Sequence, residues 1–277
     1  MEESTRERIY NFLENKKETR DDIAELSYVL YSKKENSYIS SNENILIYPA
    51  SVSKLLIAGG ILKQIENGTL DIRQTIKIAA KNINKEDEFY VKIKPDFMDF
   101  KVGEYYTINQ LLSAMLGQSN NSASNTLIDI IGRDYINQVT VLALDYPECI
   151  LTRKFNSREH EDIEYKNAPI TKGTVKCYIE IWKLIDQGKF ISTNVSEKIL
   201  EYTKQEKESN KGLSLFSQNG SLYRKGGWLS SVLQNKNTAF WEHDTGVYKD
   251  NNDTIIFSIF TLVKNSTGSP FGLNEFR

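Results

Sequence analysis

The stretch "NILIYPASVSKLLIAGGIL" (44–62) combines a proline, a Ser-x-x-Lys pair and a long apolar run. Helical periodicity begins at Pro49, because proline suits the first turn of a helix. The apolar run predicts a buried helix, yet Lys54 falls in its first turn. Ser51 precedes Lys54 by three residues, so the two side chains share one face of that helix. A lysine desolvated there can have a pKa low enough to take the proton of the serine hydroxyl.

The pair taken alone also fits a surface lysine beside a serine that caps a helix. Against that interpretation, "LLIAGGIL" (55–62) follows at once and favours burial. Ser51 would then lie at the N-terminus of a buried helix. Unpaired N–H groups and the helix dipole stabilise a developing oxyanion at such a position.

Composition indicates a globular protein of 277 residues, 39% hydrophobic and 26% charged, with a net charge of -2. This charge gives no basis for binding nucleic acid or an anionic membrane. Cys149 and Cys177 lack metal-ligand spacing and His160 and His243 are the only histidines, so no metal and no cofactor is expected. The N-terminal residues lack the apolar core of a signal peptide. We therefore expect a cytoplasmic protein, or an extracellular one if a signal sequence has been removed, and we take it to be a monomer.

Strand-like segments occupy both ends of the chain and helical segments the middle. Residues 25–48 predict two strands around a polar turn, and three β-rich runs follow residue 220. Between them lie helical patterns, with Thr107 and either Thr171 or Thr174 as candidate caps. This order predicts an antiparallel sheet built from both chain ends plus an inserted all-α lobe. The expected bounds are 1–48 and 190–277 for the α/β domain and 49–189 for the all-α domain, with the active site between them.

Two further motifs place polar residues where they need partners. "QSNNSASN" (118–125) interrupts an apolar helical pattern, so its polar side chains should bind each other, bind a ligand or form a turn. "YRKGGWL" (223–229) places two glycines after a lysine, which allows a ligand backbone to approach a strand edge. Alone, this second motif also fits a hairpin turn.

Together the three motifs resemble, in content and order, the S-x-x-K, S-D-N and K-T-G set of class A β-lactamases and penicillin-binding proteins. The chain is similar to the class A β-lactamase family, within the penicillin-recognising serine hydrolases, from about residue 23 to 264. The similarity includes a threonine-led helix before the second motif and "HDTGV" (243–247) before a last apolar strand. The family fold, an α/β sandwich carrying an all-α lobe, agrees with the order of elements.

The resemblance implies four catalytic residues. Ser51 corresponds to the acylated nucleophile and Lys54 to the base or proton relay beside it. Ser119 corresponds to the hydroxyl that passes a proton to the leaving nitrogen. Lys225 corresponds to a second cation, which lowers the pKa around Ser119 and attracts a substrate carboxylate.

The resemblance also implies where the substrate binds. Asn121 corresponds to the amide that binds Lys54 and the carbonyl of the substrate side chain. The backbone N–H groups of Ser51 and Trp228 correspond to the oxyanion hole. The substrate-binding positions carried over are Asn121, Gly226, Gly227 and Trp228.

Two departures from the family are single substitutions. Asn120 stands where S-D-N has its aspartate, an isosteric loss of charge expected to affect local support more than chemistry. Gly226 stands where K-T-G has its threonine, which removes a hydroxyl expected to hold a substrate carboxylate.

The third departure concerns deacylation. Class A enzymes carry an E-x-x-L-N loop whose glutamate activates the deacylating water, and this chain has no such motif between its second and third motifs. "TRKFN" (152–156) instead resembles a stretch of poorly characterised β-lactamase-like serine hydrolases, with Asn156 where an acid is usual. Three glutamates follow this segment and are expected to lie in a solvated loop: Glu159, Glu161 and Glu164. Glu159 is the best candidate among them for a replacement base.

These observations favour a serine hydrolase that forms an acyl-enzyme with a β-lactam or a related amide or ester. Losing a positioned general base costs about 10² to 10⁴-fold, so deacylation is expected to be slow. The alternatives are a D-alanyl-D-alanine peptidase or small-ester hydrolase on the same scaffold, or a penicillin-fold binding protein without turnover.

Overall fold

The computed structural model describes residues 4–156, 160–205, 220–232 and 238–264. The chain divides into two compact units. The first, here the strand unit, comprises Met1–Val52, Gly173–Asp186 and Lys204–Arg277. The second, here the helical unit, comprises Ser53–Lys172 and Gln187–Thr203.

The strand unit contains a five-stranded antiparallel sheet in the order β2-β1-β7-β6-β5. Strands from both ends of the chain therefore form one sheet, as the sequence predicted. Helix α1 (Thr5–Thr19) begins with a capping box between Ser4 and Glu7, and Ile9 and Leu13 pack against the sheet. The strands are β1 (Ile23–Ser32), β2 (Ser37–Ser41), β5 (Ser221–Val232), β6 (Thr238–Lys249) and β7 (Thr254–Lys264).

Helix α7 (Val175–Asp186) also belongs to the strand unit, where it packs on β1, β6 and β7. The Thr174 hydroxyl accepts a hydrogen bond from the Cys177 N–H at 3.1 Å, so Thr174, not Thr171, begins this helix. Its apolar face is fully buried, and Trp182 Nε1 donates to Thr245 Oγ1 at 2.8 Å. These units differ from the expected bounds at 48 and 189. Helix α7, expected in the all-α domain, belongs to the strand unit because it buries its apolar face on the sheet. Helix α8 (Thr193–Thr203), expected in the α/β domain, belongs to the helical unit.

The helical unit contains α2 (Lys54–Glu66), in which every residue from Lys54 to Leu62 is buried. Thr107 forms a capping box with Gln110 at the start of α4, which confirms the predicted cap. A two-stranded sheet pairs β3 (Thr75–Lys77) with β4 (Tyr105–Thr107). The other helices are α3 (Lys85–Ile93), α4 (Ile108–Gly117), α5 (Asn121–Ile131), α6 (Arg133–Leu144) and α8 (Thr193–Thr203).

Among the helices described, none combines the length and the apolar composition needed to cross a membrane. Neither cysteine of the chain is a free thiol.

Candidate active site

Lys54, the first residue of α2, is fully buried and gathers two of the sequence motifs. Its Nζ donates to the Ser119 carbonyl oxygen at 2.6 Å and to Asn121 Oδ1 at 2.7 Å, and it lies 3.3 Å from Ser119 Oγ. Burial lowers the pKa of Lys54 to about 7, against the opposing charges of Asp87 and Glu86. A buried lysine with this pKa is half neutral near physiological pH and can accept a proton.

The turn between α4 and α5 aims Ser119 and Asn121 at this lysine. Ser119 has a φ of 62°, a left-handed conformation that costs energy in a residue other than glycine. Asn120 is fully buried and caps α5: its side chain accepts from the Ala123 N–H at 2.8 Å and donates to the Met98 carbonyl at 2.9 Å. The amide therefore keeps the capping function at the position where the family has an aspartate.

A carboxylate that sequence reasoning missed supports the same turn from α3. Asp87 is buried, and its carboxylate accepts from the Asn121 N–H at 3.1 Å, the Ser122 N–H at 2.7 Å and the Ser122 hydroxyl at 2.6 Å. A negative charge at a helix N-terminus is stabilised by the unpaired N–H groups there. Asn120 is uncharged, so the negative charge beside the second motif comes from Asp87 instead.

The segment "TRKFN" places an aromatic ring against the lysine. The Phe155 ring centroid lies 4.6 Å from Lys54 Nζ. The Phe155 backbone is held on both sides, since its N–H donates to Asn125 Oδ1 at 2.8 Å and its carbonyl accepts from the Asn84 amide. At this point the segment offers Lys54 a ring rather than a carboxylate.

The expectation of solvated loop glutamates is wrong for Glu161. This residue is 7% exposed and forms an ion pair with Arg133. It also accepts from the Lys154 N–H at 2.8 Å and the Asp162 N–H at 3.0 Å, so it anchors its own loop. Glu164 is exposed, as expected, and Glu159 lies outside the described residues.

Ser51 lies in the strand unit, in a short 3-10 helix (Ala50–Ser53) that continues directly into α2. Ala50, just before it, has a φ of 46°, a second strained position next to a predicted site residue. A Cβ on Gly227 would lie 2.8 Å from the Pro49 carbonyl oxygen and 3.1 Å from the Ser51 nitrogen. The sequence suggested that Gly227 lets a ligand backbone come close to the strand. In the structure the backbone of residues 49–51 of this chain occupies that place.

Lys225, on the neighbouring part of β5, is buried, and its Nζ donates to the Gly226 carbonyl at 2.9 Å. A Cβ on Gly226 would lie 2.9 Å from Arg224 Nη2, and Arg224 is paired with Asp244 at 2.8 Å. The guanidinium thus occupies the space of the side chain that the family carries there. The half-buried Trp228 follows on the same strand.

His243, opposite Gly227 in the sheet, supports the segment that leads to Ser51. Its Nε2 lies 2.7 Å from the Tyr48 carbonyl oxygen, and its Nδ1 accepts from the Thr261 N–H at 3.2 Å. These contacts require a neutral ring with its proton on Nε2. Burial lowers the pKa of His243 to about 4, which keeps the ring neutral.

Comparison with protein families matches residues 6–270 to the beta-lactamase enzyme family. The chain belongs to this beta-lactamase family. Sequence comparison with curated proteins gives no match.

Solved structures share the fold of this beta-lactamase-family chain at low identity. A beta-lactamase from Sphaerobacter thermophilus DSM 20745 is 17% identical, with 91% of this chain and 86% of that chain covered and a TM-score of 0.72. A beta-lactamase from Chitinophaga pinensis DSM 2588 is also 17% identical, with 98% and 96% covered and a TM-score of 0.71. A mutant of PBP-A, solved as an acyl-enzyme complex with penicillin G, is 15% identical, with 98% and 91% covered and a TM-score of 0.67. At these identities the likeness shows an α/β beta-lactamase fold.

Proposed function

We propose that this protein is a serine hydrolase that forms an acyl-enzyme at Ser51 with a β-lactam or a related amide or ester. The observation that carries the proposal is Lys54: fully buried, with a pKa of about 7, and bonded to Ser119 and Asn121. A surface lysine would keep its charge and could not act as a base near neutral pH. Family membership and fold support the same reaction class.

In the proposed reaction, neutral Lys54 takes the proton of the Ser51 hydroxyl as Ser51 Oγ attacks the substrate carbonyl carbon. The backbone N–H groups of Ser51 and Trp228 stabilise the negative oxygen of the tetrahedral intermediate. The C–N bond then breaks, and the proton reaches the leaving nitrogen through Ser119. Lys225 supplies a positive charge for the substrate carboxylate.

We further propose that the acyl-enzyme is hydrolysed slowly. Deacylation needs a base within about 3 Å of the attacking water, directly or through one solvent molecule. Phe155 covers one side of Lys54, and Glu161 is engaged by Arg133, so neither supplies that base. The lack of a deacylating base at Phe155 and Glu161 also supports a second candidate, a peptidase or ester hydrolase of the penicillin-binding type. Such an enzyme is acylated by an amide or ester and does not turn over β-lactams efficiently.

Intact-mass measurement with benzylpenicillin tests the proposal. Wild-type protein should gain the mass of one penicillin and keep it for minutes or longer. Ser51→Ala should gain none, whereas Ser113→Ala, which alters an exposed serine of α4, should behave as the wild type. No adduct and no penicillin hydrolysis by the wild type, or an unchanged adduct in Ser51→Ala, would contradict the proposed nucleophile.

A further inference from the structure

The first turn of α3 lies against the start of α5, the helix that begins with Asn121. Asp87 fixes this arrangement through its bonds to the Asn121 N–H and to Ser122. The preceding residue, Glu86, then reaches the Asn121 side chain, with 3.4 Å between Glu86 Oε2 and Asn121 Nδ2. The amide that holds Lys54 through its oxygen therefore has a carboxylate at its nitrogen.

Glu86 forms no salt bridge with a lysine or arginine in the described ranges. The charge of Lys54, which is bonded to Ser119 and Asn121, lowers the pKa of the Glu86 carboxyl without being its direct partner. The residue is exposed, so a ligand can reach it, yet burial is the largest cause of a raised pKa at its carboxyl, followed by the charge of Asp87. A partly desolvated anion in this situation gains from a cation that arrives with the ligand.

We infer that Glu86 recognises a positively charged amino group on the acyl side of the substrate. The inference rests on the proposed function, in which Asn121 binds the carbonyl of that side chain. A group on the carbon next to this carbonyl falls beside the Asn121 amide and so within reach of Glu86. An ammonium there pairs with the carboxylate, a neutral group leaves it unpaired, and a second carboxylate is repelled. The preferred substrates are thus β-lactams or related amides whose acyl group carries an amine next to its carbonyl.

Three penicillins with one nucleus and one phenyl ring isolate this charge. Ampicillin carries an ammonium on the side-chain carbon, benzylpenicillin a hydrogen and carbenicillin a carboxylate. At pH 7 the amine is largely protonated, because α-amino groups have a pKa of about 7.7. The second-order rate constant of acylation, from intact mass against time, is compared for wild type, Glu86→Gln and Glu88→Gln. Glu88→Gln is the matched control, since it removes the same charge two residues along α3, on another face of the helix.

The wild type should prefer ampicillin to benzylpenicillin by about three- to fivefold, the upper part of the range expected of a partly exposed ion pair, and should react most slowly with carbenicillin. Glu86→Gln should bring the three rates to within about twofold of one another, and Glu88→Gln should keep the wild-type order. Equal rates in the wild type, or an unchanged order in Glu86→Gln, would overturn the inference while the acyl-enzyme proposal stands. Acylation by none of the three would overturn the proposed function, and this inference with it.

Discussion

The Nζ atom of Lys54 lies 4.6 Å from the centre of the Phe155 ring. Ser119 and Asn121 bind the same nitrogen, so the lysine has polar partners and an aromatic ring around it. In the mechanism proposed above, Lys54 is the base for acylation. A phenyl ring has no group that could activate a water for deacylation.

Acylation should depend on pH through Lys54. The protonated lysine cannot accept the Ser51 proton, so the rate should rise with pH through about 7, the pKa of Lys54, and level off above it. The measurement is the acylation rate with benzylpenicillin from pH 5.5 to 9. Lys54→Arg, which stays protonated across this range, should lose about 10²-fold or more on the plateau above pH 7 and should show no rise near pH 7, so the difference from the wild type shrinks toward pH 5.5. A flat wild-type profile would show that Lys54 is not the base.

Asp87→Asn should shift that profile. The Asp87 charge raises the pKa of Lys54, so its removal should move the rising limb to lower pH. Because the carboxylate accepts three hydrogen bonds at the start of α5, the free energy of unfolding should also fall, by about 1–3 kcal/mol. Adding Asn120→Asp, which restores the charge of the family motif, should return the limb toward the wild-type pH. If the acylation rate of Asp87→Asn rises at the same pH as that of the wild type, Asp87 supports only the fold.

The caps and the buried lysine were predictable because their signals are local. Thr107 and Thr174 each precede an apolar helical period, and Lys54 is followed by eight apolar or small residues. Asp87 and Glu86 carried no such signal, since they stand in the charged run "KEDE" (85–88) and meet Asn121 only through tertiary packing.

The burial of Glu161 was missed for the same reason. Its partner Arg133 lies 28 residues earlier, at the start of α6, in a stretch that reads as an ordinary helix start. A carboxylate in a charged loop is usually solvated, so the sequence pattern favoured exposure. Only the fold brings the two side chains together.

Stability should fall in mild acid through His243. Its pKa is about 4 in the folded protein and 6.5 in a free side chain, so the unfolded chain binds more protons between these values. The free energy of unfolding should therefore be unaffected above pH 6.5 and should decrease from pH 6.5 to 4, by roughly 3 kcal/mol from this group. Urea unfolding at several pH values measures it. His243→Gln should be less stable at pH 7 but lose less on acidification; equal losses would contradict the assignment.

Gly227→Ala should disturb Ser51 directly. The added methyl would meet the Pro49 carbonyl oxygen at 2.8 Å and the Ser51 nitrogen at 3.1 Å, so the backbone at Ser51, the proposed nucleophile, must move. We expect acylation to slow by at least about tenfold, with a loss of about 1–3 kcal/mol in stability. Gly117→Ala in α4 is the control, because the nearest atom that its added methyl would meet outside its own helix, the Tyr202 carbonyl oxygen, is 4.0 Å away. Wild-type acylation in Gly227→Ala would show that the segment adapts without cost.

Phe155→Glu should shorten the life of the acyl-enzyme. The new carboxylate would replace the ring that lies against Lys54, where it could activate a water, and a positioned base contributes about 10² to 10⁴-fold. It would also raise the pKa of Lys54, so acylation at pH 7 should slow while deacylation quickens. The measurement is adduct mass against time after removal of excess benzylpenicillin. Phe155→Gln, which fills similar space without a basic group, should keep the long-lived adduct. Equal lifetimes in the two variants would place the water, and any base that activates it, away from this side of Lys54.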